Sequence, residues 1–250
     1  MRMTENNQVK YIEGEKDKQH IVDSMKKYVV EKQELDKFLE NMITPLIQKR
    51  KLNILDACCG IGHLDFFLSQ ISPESHFLGI DKTPYLIEEA KILCRDLKNV
   101  EFRLLDVANL SREYKKEFDI SICWKTVSWL PRYEPVIREL MQVTKESVFV
   151  SSLFYSEDID FEIKVREYQS EAGRDGFNMY YNVYSYPRFE DFCLKCGAKK
   201  VVPYDFEMGI DIPKPKKNFM GTYTLKLENG KRIQISGAVL MSWKVIRIDL

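Results

Sequence analysis

The chain has 250 residues, and its 38 Lys+Arg are balanced by 38 Asp+Glu. At that length about 70–75% of the unfolded surface is buried on folding, enough for one full core with elaborations. The zero formal charge leaves no strong nucleic-acid footprint, and no apolar run reaches the ~18–20 residues of a membrane span.

Residues 1–20 are polar and carry no hydrophobic signal region, so a cytoplasmic protein is expected. Six cysteines, two of them adjacent at Cys58 and Cys59, suit a reducing compartment. Cys193 and Cys196 form a CxxC pair, but the histidines (His20, His63 and His76) supply no second pair of ligands at suitable spacing. The pair therefore reads as a helix face, and no metal site is expected.

In chain order, residues 20–49 show helical apolar spacing, with Pro45 starting or kinking a last turn. Residues 52–57 form a short apolar run into a glycine turn, and 63–70 return to helical spacing. A second strand spans 77–81. Thr83 caps, and Pro84 opens, a helix reaching about residue 97. Strands follow at 100–105 and 118–124, then a helix at 135–143 and a strand at 147–152. This alternation predicts a parallel sheet with helices on both faces, which binds ligands at the carboxyl ends of its strands.

The last third reads differently. Residues 153–187 are rich in tyrosine and acids without a clean period. A helix is expected at 188–196, stopped by Gly197, and a strand at 200–208. Residues 222–227 and 231–236 alternate around Glu228-Asn229-Gly230, which suits a type I′ hairpin turn. A final strand spans 239–248.

The chemistry centres on Asp56-Ala57-Cys58-Cys59-Gly60-Ile61-Gly62, between a predicted strand and a predicted helix. Gly60 and Gly62 permit a tight turn and a close approach of backbone to ligand, and the helix N-terminus faces that ligand. A dinucleotide fingerprint would place a third glycine where Asp65 stands. Instead Asp56, Asp81 and Asp106 end three successive strands, 25 residues apart. A carboxylate after the second strand suits a ribose diol, and one after the third an adenine amino group. One after the first can orient a cationic end. Such a rim fits a cationic, ribose-bearing adenosine ligand better than a pyrophosphate, which counts against a nicotinamide-dependent oxidoreductase.

Asn53-Ile-Leu-Asp-Ala-Cys-Cys-Gly-Ile-Gly62 resembles the first motif of class I S-adenosylmethionine (SAM)-dependent methyltransferases. Gly79-Ile80-Asp81, Leu105-Asp106-Val107 and Phe118-Asp-Ile-Ser-Ile-Cys-Trp124 resemble the second, third and fourth-strand motifs. The match covers about residues 52–152. It implies an α/β, Rossmann-like fold with a mostly parallel seven-stranded sheet, an N-terminal helical extension and a C-terminal β-hairpin insertion. Residues 1–50 would form a leader and helical cap. Residues 51–250 would form the SAM-binding domain, with substrate-covering insertions at 153–187 and 209–238.

By the same resemblance Asp56, Ala57, Cys58, Gly60 and Gly62 would floor the SAM site. Asp81 with Lys82 would hold the ribose, and Asp106 with Val107 the adenine. Cys123, Trp124 and Lys125 would line the methionine end, with Tyr28 of the first helix closing over it. One residue departs from the family: Cys58 stands where a first glycine is usual.

For the acceptor, residues 178–186 carry four tyrosines and two asparagines, which can stack on and hydrogen-bond a polar ring. Tyr180, Tyr181 and Tyr184 are the candidate substrate-binding residues, and residues 209–222 are a second candidate segment. A hydroxyl or protonated amine acceptor needs a base, for which His63, Asp158, Glu162 and Tyr180 are candidates. The residues after the fourth strand, Trp124-Lys-Thr-Val127, lack the Asn/Asp-Pro-Pro-Tyr/Phe run of enzymes that methylate planar amines in RNA or protein. The expected function is SAM-dependent methyl transfer to O or N of a small polar acceptor, a sugar or other metabolite, giving S-adenosylhomocysteine (SAH). A protein or RNA methyltransferase and a catalytically silent SAM-binding partner subunit stand as alternatives, and a homodimer is left open.

Overall fold

The computed structural model describes residues 15–166, 168, 179–215 and 221–250. Two helices, α1 (Glu15–Val30) and α2 (Glu34–Ile47), precede the first strand. The helical spacing of residues 20–49 is thus two helices broken at 31–33, and Pro45 sits within the last turns of α2. The stripe Leu35, Leu39, Ile43 and Ile47 of α2 is buried, as an amphipathic helix laid on a sheet requires.

The alternating region follows the predicted order: β1 (Asn53–Ala57), α3 (His63–Ile71), β2 (His76–Asp81), α4 (Pro84–Leu93), β3 (Val100–Leu104), a short α5 (Leu110–Glu113), β4 (Phe118–Cys123), α6 (Glu134–Val143) and β5 (Thr144–Ser152). Four two-residue strands then cross the tyrosine-rich region: β6 (Phe154–Tyr155), β7 (Lys164–Val165), β8 (Met179–Tyr180) and β9 (Tyr184–Ser185). α7 (Tyr186–Lys195) leads to β10 (Lys200–Asp205), β11 (Thr222–Lys226), β12 (Arg232–Ser236), β13 (Val239–Leu240) and β14 (Lys244–Asp249).

The main sheet has seven strands in the order β10-β14-β5-β4-β1-β2-β3. β14 runs antiparallel to both its neighbours, while the β5-β4-β1-β2-β3 pairings are all parallel. Both faces are covered, so the central strands are apolar on both sides. Leu55 and Ala57 pack with Leu110, Ile137 and Phe189. Ile54 packs on the other face with Leu39, Phe77 and Phe149. The chain leaves β1 for β2 on one side and later returns to β4 on the other, so the crevice expected to take a ligand opens above β1 and β4.

Four expectations need correction, the first being that α4 stops at Leu93 and not near residue 97. The run 239–248 is two strands, because Gly237, at φ 61°, turns β13 back onto β12 before β14 joins the main sheet. The hairpin turn is not type I′: Gly230 has φ 83° but Asn229 is not among the residues at positive φ. The Leu227 N–H donates to Lys231 at 2.7 Å and the Gly230 N–H to Leu227 at 3.0 Å, a three-residue loop closed by a left-handed glycine. The strand at 200–208 stops at Asp205.

Candidate functional site

The glycine loop between β1 and α3 is held by two hydrogen bonds to the end of β2. The Cys59 N–H donates to the Ile80 carbonyl at 2.9 Å, and the Gly60 N–H to Asp81 Oδ2 at 3.1 Å. Asp81 Oδ1 accepts the Thr83 N–H at 2.9 Å. Asp81 therefore fastens the loop to the end of β2. Burial raises its pKa, and the bonds from Thr83 and Gly60 offset this only in part.

The two loop glycines have different causes. Gly62, at φ 72°, caps α3, and a Cβ there would lie 2.5 Å from Phe102 Cζ. A Cβ on Gly79 would meet the same ring at 2.5 Å. The Phe102 ring is thus wedged between the loop and β2, and Gly62 answers to packing. Gly60, at φ 59°, is different: a Cβ there would meet only the tip of Met25, at 3.4 Å. The cradle above Gly60 is covered by the flexible end of one α1 side chain.

Cys58, in the place of the family's first glycine, adopts φ 61°, a left-handed conformation that costs a non-glycine residue ~1–2 kcal/mol. Its thiol faces that of Cys123 at the end of β4, close enough for the two to perturb each other. Cys58→Gly is expected to leave stability unchanged or raise it by up to ~1 kcal/mol in urea unfolding. A clear loss would mean that the thiol contact outweighs the strain.

Asp56 and Asp65 of α3 are both buried and face each other, and neither Asp65 oxygen has a hydrogen-bond donor. Burial, then the Asp65 charge, pushes Asp56 well above the carboxylate range, and burial takes Asp65 to about 7. Two carboxyls this close share a proton. The native state holds that proton while an unfolded carboxyl of pKa 3.8 releases it, so stability falls as pH rises from about 4 to about 7. Asp65→Asn should flatten this slope, gaining roughly 1–3 kcal/mol at pH 8 and almost nothing at pH 4. Urea unfolding at the two pH values checks it; an equal effect at both would deny the shared proton.

Asp106 caps the turn at Val107–Asn109, its Oδ1 accepting the Ala108 N–H at 3.0 Å. Val107 is buried beside it and Lys82 is exposed next to Asp81. The Tyr85 hydroxyl of α4 is buried without a hydrogen-bond partner, near enough to Asp81 for that carboxylate to raise its pKa after burial does. The residues thus fit an adenosyl ligand: the buried Tyr85 hydroxyl lacks a partner close to Asp81, Asp106 keeps an oxygen for adenine, and a movable side chain covers the glycine.

At the end of β4 several segments converge on Asp36 of α2. Trp124 Nε1 donates to Asp36 Oδ1 at 2.8 Å, and Lys125 Nζ lies 3.0 Å from the same oxygen. His63 Nε2, at the start of α3, stands 3.5 Å from Oδ2. Lys125 Nζ also lies 4.9 Å above the Tyr28 ring, whose centroid is 6.0 Å from that of His63. Tyr28, His63, Trp124 and Lys125 are thereby brought together. Asp36 is absent from the sequence expectations; its signal was an acid beside Leu35 on the apolar stripe of α2.

The expected acceptor residues are dispersed. Tyr181 is buried, its hydroxyl lies beside Ser236 and Trp243, and its ring packs at a tilt against Trp129, centroids 4.8 Å apart. The Tyr184 hydroxyl donates to the Leu130 carbonyl at 2.7 Å. Both pack the insertion onto the core and present no face to an acceptor, whereas Tyr180 is half-buried on β8. Asp158 pairs with Arg188 at the surface. Asn178 and residues 216–220 of the two candidate segments lie outside the described residues. A cavity of about 390 Å³ opens between β6, the end of β10, β12 and the start of β14, lined by Phe154, Phe206 and Trp243 among others.

A family model described as a methyltransferase domain matches residues 48–201. Malonyl-[acyl-carrier protein] O-methyltransferase of Bacillus cereus is 32% identical over 36% of this chain and 33% of its own. Demethylmenaquinone methyltransferase of Lactococcus lactis is 33% identical over 38% of each. The matched stretch thus spans about a third of these curated relatives. The structure of magnesium protoporphyrin IX methyltransferase from Synechocystis PCC 6803 with bound SAH superposes with a TM-score of 0.53 over 86% of this chain and 82% of that one, at 13% identity. The family model covers more than half of the chain and the fold agrees, so the chain belongs to the class I SAM-dependent methyltransferase family.

Proposed function

We propose that the crevice above β1, β2 and β4 binds SAM and that the enzyme methylates an oxygen or nitrogen of a small polar acceptor. The observation that carries this reading is Asp81, fastened to Gly60 at the end of β2 with the buried, unpartnered Tyr85 hydroxyl near it. Bound SAM supplies an activated methyl on a cationic sulfur. The chain's own task is mainly alignment. Asp81 and Tyr85 would take the ribose, Asp106 the adenine, and the cluster around Asp36 the end that faces the acceptor. The cavity between β6, β10, β12 and β14 falls within the size range of small-molecule sites, and the charged groups at its rim are paired, Lys244 with Asp205 and Lys231 with Glu207. A polar acceptor without large net charge suits such a rim. All six cysteines are free thiols, which supports work in a reducing compartment.

The test is transfer of radiolabelled methyl from SAM to the low-mass fraction of a cell extract, compared with the protein and RNA fractions. Label in the low-mass fraction is expected. Label confined to protein or RNA would move the reading to the macromolecular alternatives.

A further inference from the structure

We propose that His63, positioned by Asp36, is the base that takes the proton of the acceptor, which makes that acceptor a hydroxyl compound. This rests on the methyl-transfer reading above and selects among its acceptors. His63 directly follows the glycine loop, as the first residue of α3. Its Nε2 and Asp36 Oδ2 are both buried atoms without a hydrogen-bond partner, 3.5 Å apart. Such a pair is poised to close, because catalytic hydrogen bonds often tighten only when ligands bind. Asp36 itself is anchored through its other oxygen by Trp124 and Lys125, so it can hold the ring without moving. Lys125 is tied in turn, with Nζ donating to Gln33 Oε1 at 2.6 Å and its N–H to Ser151 Oγ at 2.8 Å.

The charges agree with the geometry. Burial alone would raise Asp36, but Lys125 and His63 more than offset it and keep the carboxyl ionised. Burial and Lys125 lower His63 against the pull of Asp36, which leaves the ring neutral near pH 7. The groups facing it are Asp36 from α2, Lys125 after β4 and Tyr28 from α1. Lys32 and Glu40 pair with each other beside Phe67 of α3.

With the Nε2–H directed at Asp36, Nδ1 is the basic atom. The acceptor O–H bond breaks and its proton passes to Nδ1. The freed oxygen pair forms the O–CH3 bond as the methyl–sulfur bond breaks, leaving that electron pair on sulfur. The sulfonium charge thus becomes imidazolium charge, which faces Asp36. A carboxylate acceptor has no proton to lose and would need no such base.

The test is 15N NMR of the imidazole rings in the full chain saturated with SAH, from pH 5 to 9. His63 should be neutral at pH 7 with its proton on Nε2. Asp36→Asn should lower its pKa by about a unit or more, and His63→Gln should change SAH affinity less than threefold. If Asp36→Asn does not fold, Lys125→Met should instead raise the His63 pKa and keep the tautomer. A proton on Nδ1, or a tenfold loss of SAH affinity in His63→Gln, would overturn the proposal. In the label-transfer assay the product should be an alkali-stable ether, and His63→Ala should be restored by added imidazole. Alkali-labile label, the mark of an ester, would also overturn it. Failure of the wild type to bind SAH would instead remove the underlying methyl-transfer reading.

Discussion

Gly62→Ala is expected to destabilise the protein by about 2–5 kcal/mol, the sum of a left-handed φ on a residue with a Cβ and an overpacked contact. The new methyl would sit 2.5 Å from Phe102 Cζ and 3.2 Å from Ala90 Cβ. Phe102 has nowhere easy to go, because it is buried among Cys59, Ile87, Ala90 and Cys94. Adding Phe102→Leu should recover the steric part and leave the backbone part. Urea unfolding of the single and double variants measures both. A cost below ~1 kcal/mol for Gly62→Ala would mean that the loop yields, and that the wedge of Phe102 does not set its shape.

Asp81→Ala is expected to weaken SAM binding by ~1.5–3 kcal/mol, or about 10- to 150-fold, the range for hydrogen bonds to a charged group. Two effects combine. The carboxylate that would accept the ribose hydroxyls disappears, and the Gly60 N–H loses its present acceptor. The Thr83 N–H at the start of α4 loses one too, so the variant must be shown folded by circular dichroism before its affinity is interpreted. Unchanged affinity in a folded variant would mean that the ligand does not sit over β2.

The alternating region was legible because short strand runs alternate with helices that carry their own stripe, and β1, β2 and β3 each end at or close to an acid. Asp81 and Asp106 could be read for the same reason: they stand at strand ends, where side chains face a ligand. Asp56 ends a strand as well, but it turns beneath the loop to Asp65, and nothing in spacing distinguishes the two fates. Gly62 looked like a ligand contact because no local signal shows that Phe102, 40 residues on, packs against it. The tyrosines of 180–184 show how little composition says about direction: the hydroxyls of Tyr181 and Tyr184 find partners inside the fold, on Ser236, Trp243 and Leu130. The Asp36 cluster draws on α1, α2, α3 and the end of β4. It exists only once those elements are packed, so single-segment reading could not assemble it.

The central claim is that the crevice above β1 and β2 holds an adenosyl ligand with a cationic or thioether tail. Calorimetric titration of the full chain with SAM, SAH and NADH tests it directly. Micromolar binding of SAM and SAH with no heat from NADH is the expected result. Binding of NADH alone would contradict the account, because the acids ending β2 and following β3 would then face a pyrophosphate that they should repel.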